Sequence, residues 1–223
     1  MASTILSTGN SFTNSYILKG DRAAAIIDAG LPGYEKKIFA ALDANGIARD
    51  QVKLLILTHG HGDHYGSLKA LKAAFHAPVM AGWPDASYVE KGESAPVVPV
   101  NLTGRMIKLF TGAKASPCKV DVVVKEDMNL SAYGIDARVL TMPGHTMGSL
   151  AVLASDGGCA VGDNLAALVL KNSPGMPPFA ESPDMIGAGL KKVLDNGATD
   201  ICPGHGNRWE ASTVRKKFAT IIA

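Results

Sequence analysis

Three imidazoles and a carboxylate fall within six positions in the run Thr58-His59-Gly60-His61-Gly62-Asp63-His64, directly after the apolar stretch that ends at Leu57. Neutral imidazole nitrogen and carboxylate oxygen are the donors that Zn²⁺, Fe²⁺ and Mn²⁺ accept. Glycines between the donors remove bulk, so neighbouring imidazoles can converge on one point. His59 and His61 are two apart and project to the same side of an extended loop, whereas Asp63 and His64 diverge from them. That spacing suits two metal positions rather than one. Two more histidines share a context: Met142-Pro143-Gly144-His145 and Cys202-Pro203-Gly204-His205 each close an apolar run. Asp163, in Val161-Gly162-Asp163-Asn164, and Asp28, in Ile27-Asp28-Ala29-Gly30, hold corresponding places.

Each residue taken singly has an ordinary reading. Asp63 fits the N-cap of a helix that begins near Tyr65. Asp28 and Asp163 fit turns or caps, and His145 and His205 fit solvent-facing turns. Jointly they fit poorly, because five of the six histidines sit at strand ends beside glycine. His76 stands apart and reads as a residue that closes a helix.

The elements that must position these groups alternate between strands and helices. Residues 16–18 and 23–27 read as a hairpin joined by Gly20-Asp21. Residues 35–45 place Ile38, Ala41 and Leu42 on one face, with Gly46 as the stop. Residues 54–57 form a wholly apolar, buried strand, and 65–75 form one helix with Leu68, Leu71 and Phe75 on its inner face. Further strands are expected at 78–81, 120–124, 138–142, 150–154, 159–161 and 201–202. Helices are expected at 102–110, 183–194 and 210–222. Between Trp83 and Cys118 the pattern loosens, and this segment is a candidate cap inserted in a single domain spanning 1–223. The repeated Pro-Gly-His ending hints at two related halves.

Composition excludes several classes. With 47% hydrophobic and 19% charged residues, the chain is globular rather than disordered. Lys plus Arg number 22 against 20 Asp plus Glu, and they are scattered. A nucleic-acid grip is therefore not expected, and a small-molecule substrate is. No apolar run is long enough for a membrane helix, and no basic stretch precedes an apolar one at the start. The three distant cysteines, Cys118, Cys159 and Cys202, read as reduced thiols in a cytoplasmic protein, the last two packed on apolar strands. The oligomeric state is not legible.

Taken in order, Asp28, the run His59-x-His61-x-Asp63-His64, His145, Asp163 and His205 resemble the metallo-β-lactamase fold superfamily. The resemblance implies an α+β fold, an αβ/βα four-layer sandwich of two facing mixed sheets with outer helices. It implies that His59, His61 and His145 hold one divalent metal, and that Asp63, His64 and His205 hold a second. Asp163 would bridge both, and Asp28 would orient a ligand histidine from behind. Zinc is the expected metal, with iron or manganese as alternatives. Two such cations sharing a water lower its pKa toward neutrality, giving a hydroxide that attacks a carbonyl or phosphoryl centre, with Asp63 orienting it.

Within the superfamily, an aspartate at 163 points away from β-lactamases proper and toward the glyoxalase II-like branch. Only 18 residues follow His205, so the glyoxalase II C-terminal extension is absent from this sequence. The expected activity is hydrolysis of an ester, thioester or lactone. The alternatives are a mononuclear iron oxygenase of the persulfide dioxygenase kind and a phosphodiesterase of the same fold. Three stretches are expected to border the site: 9–13, 83–118 and 171–182. Their Phe12, Trp83, Tyr88, Met106, Phe110, Met176 and Phe179 would make an apolar rim, or else pack the cap onto the body.

Overall fold

The computed structural model describes residues 2–9, 12–108, 115–166 and 173–222. The first half of the chain builds one six-stranded sheet. β1 (Thr4–Ser7), β2 (Tyr16–Lys19) and β3 (Ala24–Ile27) pair antiparallel. α1 (Glu35–Ala44) then returns the chain to β4 (Val52–Ile56), which runs parallel to β3. α2 (Gly62–Tyr65) and α3 (Leu68–Phe75) lead to β5 (Val79–Gly82), and α4 (Ala86–Lys91) and α5 (Leu102–Lys108) lead to β6 (Val122–Val124). β4, β5 and β6 are parallel.

The second half builds another six-stranded sheet. Its members are β7 (Met128–Asn129), β8 (Ala137–Thr141), β9 (Leu150–Ala154), β10 (Gly158–Ala166), β11 (Asp200–His205) and β12 (Trp209–Glu210). The spatial order is β12-β11-β10-β9-β8-β7, and only β10 and β11 are parallel. α6 (Pro183–Asp195) crosses between β10 and β11, and α7 (Ala211–Lys217) follows β12.

Side-chain alternation along each strand sorts the apolar residues into three layers. Ile26 and Leu55 face outward with Ile38, Leu42, Leu68, Leu71 and Phe75 of α1 and α3. Ile27, Leu54 and Ile56 face inward, where they meet Val139, Val152, Ala160 and Cys202 of the second sheet. Leu153, Val161 and Ile201 face outward again, against Ile186, Leu190, Val193 and Val214 of α6 and α7. The result is helix, sheet, sheet, helix, as the resemblance implied. Cys159 and Cys202 are fully buried on β10 and β11, and Cys118 is buried as well. Among the described residues no helix is long and apolar enough to cross a membrane.

Several elements differ from the sequence expectation. The single helix expected over 65–75 is two pieces, and the first starts earlier, at Gly62. The break falls at Gly66 and Ser67, which press against the loop after β3. A Cβ on Gly66 would lie 2.5 Å from Pro32 Cδ, and the Ser67 hydroxyl donates to the Leu31 carbonyl at 2.7 Å while accepting the Tyr34 N–H at 2.8 Å. α4 lies in a stretch read as irregular, with Ala86 and Val89 buried in the outer layer. β10 and β11 run on past their expected ends, so Asp163 and His205 belong to strands rather than to following turns. The last helix ends at Lys217, after which Phe218 and Ile222 turn into the core. The expected end of α5 at 109–110 lies outside the described residues.

Candidate metal centre

The run that opens with Thr58 leaves the carboxyl end of β4, delivers His59 and His61 from a loop, and places Asp63 and His64 on α2. His145 follows β8, Asp163 lies in β10, and His205 is the last residue of β11. These seven side chains meet. Three groups of potential ligand atoms each lie within 4.8 Å of one another: His59/His61/His145, His59/His64/Asp163 and Asp63/His64/His205. Each group takes two members from the first half of the chain and one from the second. Asp163 faces all sides of the cluster. Its Oδ1 is 3.4 Å from His64 Nε2, and its Oδ2 is 3.3 Å from His205 Nε2 and 3.8 Å from His145 Nε2. His76 lies in none of the groups. It closes α3 with φ +52° and is exposed.

The imidazoles are held from behind, which settles which nitrogen faces inward. His145 Nδ1–H donates to the Phe179 carbonyl at 2.8 Å, and His205 Nδ1–H donates to the Phe12 carbonyl at 2.6 Å. His64 Nδ1–H donates to Asp28 Oδ2 at 2.8 Å. The same carboxylate accepts the Thr58 N–H and hydroxyl, both at 2.7 Å. With its proton committed to Asp28, the Thr58 oxygen is left to accept from His59 Nδ1–H at 3.1 Å. The outward nitrogens are donors, so Nε2 of each of these rings is the atom that faces inward. Asp28 itself has φ +59°, a conformation Asp tolerates better than most residues.

Other contacts place the remaining members. The Thr13 hydroxyl donates to Asp63 Oδ2 at 3.2 Å. Asn14 Nδ2 donates to the carbonyls of Pro203 and Gly206 at 3.0 and 2.8 Å, and the Tyr16 hydroxyl donates to Pro203 at 2.7 Å, fixing the strand end that bears His205. Gly204 has no room for a side chain: a Cβ there would overlap Asp163 Oδ1 and lie 2.7 Å from His64 Cε1.

The electrostatics divide the cluster in two. Burial, reinforced by the neighbouring imidazoles, holds His59 well below the ordinary histidine value and lowers His61 to about 3; burial lowers His145 too. These three rings are neutral, and His145 Nε2, whose ring donates from Nδ1 to Phe179, accepts from His61 Nδ1–H at 3.0 Å. Burial works against charge on His64 and His205 as well, but Asp163 and its fellow carboxylates outweigh it, raising His64 well above its usual value and His205 to about 10. Asp163 and Asp63 are correspondingly held below the carboxylate range, burial notwithstanding, by His205 and His64. Four buried polar atoms, His59 Nε2, His61 Nε2, His64 Nε2 and Asp163 Oδ1, have no hydrogen-bond partner. Buried polar atoms are ordinarily paired. Three imidazole nitrogens and a carboxylate oxygen, all orphaned and converging, make a set of donor types that fits divalent cations of the zinc type.

The family model described as the metallo-beta-lactamase superfamily matches residues 8–205, a span that contains every one of these donors. The chain belongs to this superfamily. Among curated members, a probable metallo-hydrolase of Streptococcus pyogenes is 30% identical over 86% of this chain and 78% of its own length. A probable metallo-hydrolase of Methanocaldococcus jannaschii is 28% identical over 63% of this chain and 62% of its own. A hydroxyacylglutathione hydrolase of Albidiferax ferrireducens is 28% identical over 65% of this chain but only 44% of its own. The match to these last two thus spans less than two thirds of their length, 62% and 44%. Superfamily folds in solved structures are similar throughout. The metallo-beta-lactamase BLEG-1 superposes with a TM-score of 0.70 at 19% identity, covering 99% of this chain and 100% of that one. A beta-lactamase from Chitinophaga pinensis gives 0.68 at 20% identity, covering 99% and 88%.

The structure brings together every superfamily position named from the sequence, Asp28 included. The expected apolar border is more mixed. Phe12, Trp83 and Met106 are more than 60% exposed, and Met176 is 39% exposed, whereas Phe179 is buried and Tyr88 is half-buried. Phe110 lies outside the described residues. Phe179 contributes its backbone carbonyl rather than its ring, and the Phe12 ring stands edge-on to His205 at 4.9 Å. Thr13 and Asp85 fall within the stretches 9–13 and 83–118 expected to border the site, but neither was singled out. Asp85 follows Pro84 just ahead of α4.

Proposed function

We propose that this chain is a dinuclear, zinc-dependent hydrolase that cleaves an ester, thioester or lactone. The observation that carries the proposal is the convergence of three unpartnered nitrogens, Nε2 of His59, His61 and His64, with the unpartnered Asp163 Oδ1, in a cluster that also includes His145, His205 and Asp63. In this reading His59, His61 and His145 would hold one metal, Asp63, His64 and His205 would hold the second, and Asp163 would serve both. Asp28, the Phe12 carbonyl and the Phe179 carbonyl keep the rings aimed. Bound there, two divalent cations supply a water of near-neutral pKa and polarise the substrate oxygen that gains charge.

Asp63 is the most exposed of the seven, its side chain 25% open to solvent, and Thr13 fixes one of its oxygens. It therefore faces the incoming substrate and orients the attacking water by accepting its hydrogen bond. Water adds to the carbonyl carbon, the C–S or C–O bond breaks, and an acid and a thiol or alcohol leave. The substrate's apolar part lies against Phe12 and Trp83, with segment 83–118 as its cap. Relatives named hydroxyacylglutathione hydrolases make a thioester the first candidate.

The test combines elemental analysis with a panel of activated esters, thioesters, lactones and phosphodiesters on one preparation. The expected outcome is about two zinc per chain, as in two-metal hydrolytic sites, with cleavage of a carbonyl substrate. Asp163→Ala is expected to lose one metal and more than about 100-fold in rate while remaining folded. One iron per chain with oxygen uptake on a persulfide, or turnover of phosphodiesters alone, overturns the proposal.

A further inference from the structure

Asp85 sits just beyond β5, ahead of α4, yet its carboxylate makes no bond to its own helix. Instead Oδ2 accepts the Gly60 N–H and the Thr146 hydroxyl, both at 2.7 Å, and Oδ1 accepts the Gly148 N–H at 3.0 Å. The residue is fully buried and has no cationic partner among the described residues. Burying a carboxylate without a counter-charge is costly, so its placement calls for a role at the loops that it joins.

Those loops are the two sources of one candidate ligand group. Gly60 lies between His59 and His61, at the end of the first sheet. Thr146 and Gly148 follow His145, at the edge of the second. The link is tight: a Cβ on Gly148 would overlap the Asp85 carboxylate, and one on Gly60 would lie 3.1 Å from Asp85 Cβ. Thr146 is braced in turn by Ser149, whose Oγ accepts the Thr146 N–H at 3.0 Å and lies 2.7 Å from its hydroxyl. The Leu150 N–H donates to the Thr58 carbonyl at 2.7 Å, closing the same seam between sheets.

We propose that Asp85 is a positioning residue for the His59/His61/His145 group, a buried strut that sets the loop carrying His59 and His61 against the loop carrying His145. The proposal rests on the reading of those histidines as metal ligands. It is selective, because Asp63, His64 and His205 have their own supports in Thr13, Asp28 and the Phe12 carbonyl.

The experiment titrates the metal-free, full-length protein with cobalt(II) and follows visible absorption, alongside melting curves. For the wild type, uptake of about two equivalents is expected. Asp85→Ala should weaken one equivalent by about 10–100-fold, the usual cost of losing a partner behind a ligand, and alter its absorption bands while the other equivalent stays as it was. Asp85→Asn keeps an acceptor for Gly60 and Thr146 but sets an amide N–H against Gly148, so it should fall between. Val89→Ala, a core truncation in α4, should lower the melting temperature without moving either affinity. Should Asp85→Ala fail to fold, Thr146→Val removes one of the three bonds and should weaken the same equivalent by a smaller factor. Wild-type affinity and bands in Asp85→Ala or Thr146→Val, or equal weakening of both equivalents, overturns the role of Asp85. No cobalt uptake by the wild type overturns the metal-centre reading beneath it.

Discussion

At the scale of single residues, buried carboxylates tie together loops that are distant in sequence. Asp28 and Asp85 are both buried and both serve loops distant in sequence, but only Asp28 faces a histidine. Burial pushes Asp85 up to about 6 despite its three donors, and the nearby Glu181 pushes in the same direction. A carboxyl whose folded value lies above its unfolded value favours folding at low pH, and that contribution is lost as pH rises through about 6. The stability of the wild type relative to Asp85→Asn should therefore fall by about 2 kcal/mol between pH 4 and pH 7, measured by urea unfolding. A flat or rising difference contradicts the burial argument. Phe12 separates two roles within one residue, since its carbonyl holds His205 and its ring is exposed beside it. Phe12→Ala retains the carbonyl, so metal content should hold while KM for an apolar thioester rises about tenfold, the equivalent of ~1.4 kcal/mol of lost contact. Loss of metal in this variant would show that the ring, not the backbone, positions His205.

Among the elements, what could be read from the sequence was what local patterns encode. The apolar run at β4, the amphipathic faces of α1 and α3 and the Gly46 stop are all local, and all appear. The break between α2 and α3 does not, because it depends on contact with Leu31, Pro32 and Tyr34 across a sharp approach. The run from His59 to His64 was legible through residue types and spacing, whereas the roles of His145, Asp163 and His205 were implied by the resemblance. Their supports were not: Phe12 meets His205 across 193 positions and Phe179 meets His145 across 34, and each does so through a carbonyl that any residue would supply. Asp85 was hidden in a stretch that read as irregular, so no element was expected there for it to brace. His76, by contrast, was read correctly as the end of α3, and its left-handed backbone adds a test. Glycine adopts that conformation without a Cβ penalty, so His76→Gly should raise stability by up to about 1 kcal/mol with unchanged metal content. Loss of a metal would place His76 in the site after all.

For the molecule as a whole, the sheets are drawn from consecutive halves of the chain, and the donors come from both. A cation held between them ties the halves together only in the folded state. Chelation should therefore lower the melting temperature, by about 10 °C if the metal is present at ~1,000 times its dissociation constant. An unchanged melting curve on complete metal removal would show that the two sheets are fastened by their apolar interface alone. The two-to-one division of every ligand group carries a further consequence. If the polypeptide were severed between β6 and β7, neither fragment could complete any of those three groups by itself. Cobalt colour would then develop only as the fragments reassociate, making the ion an optical reporter of their docking.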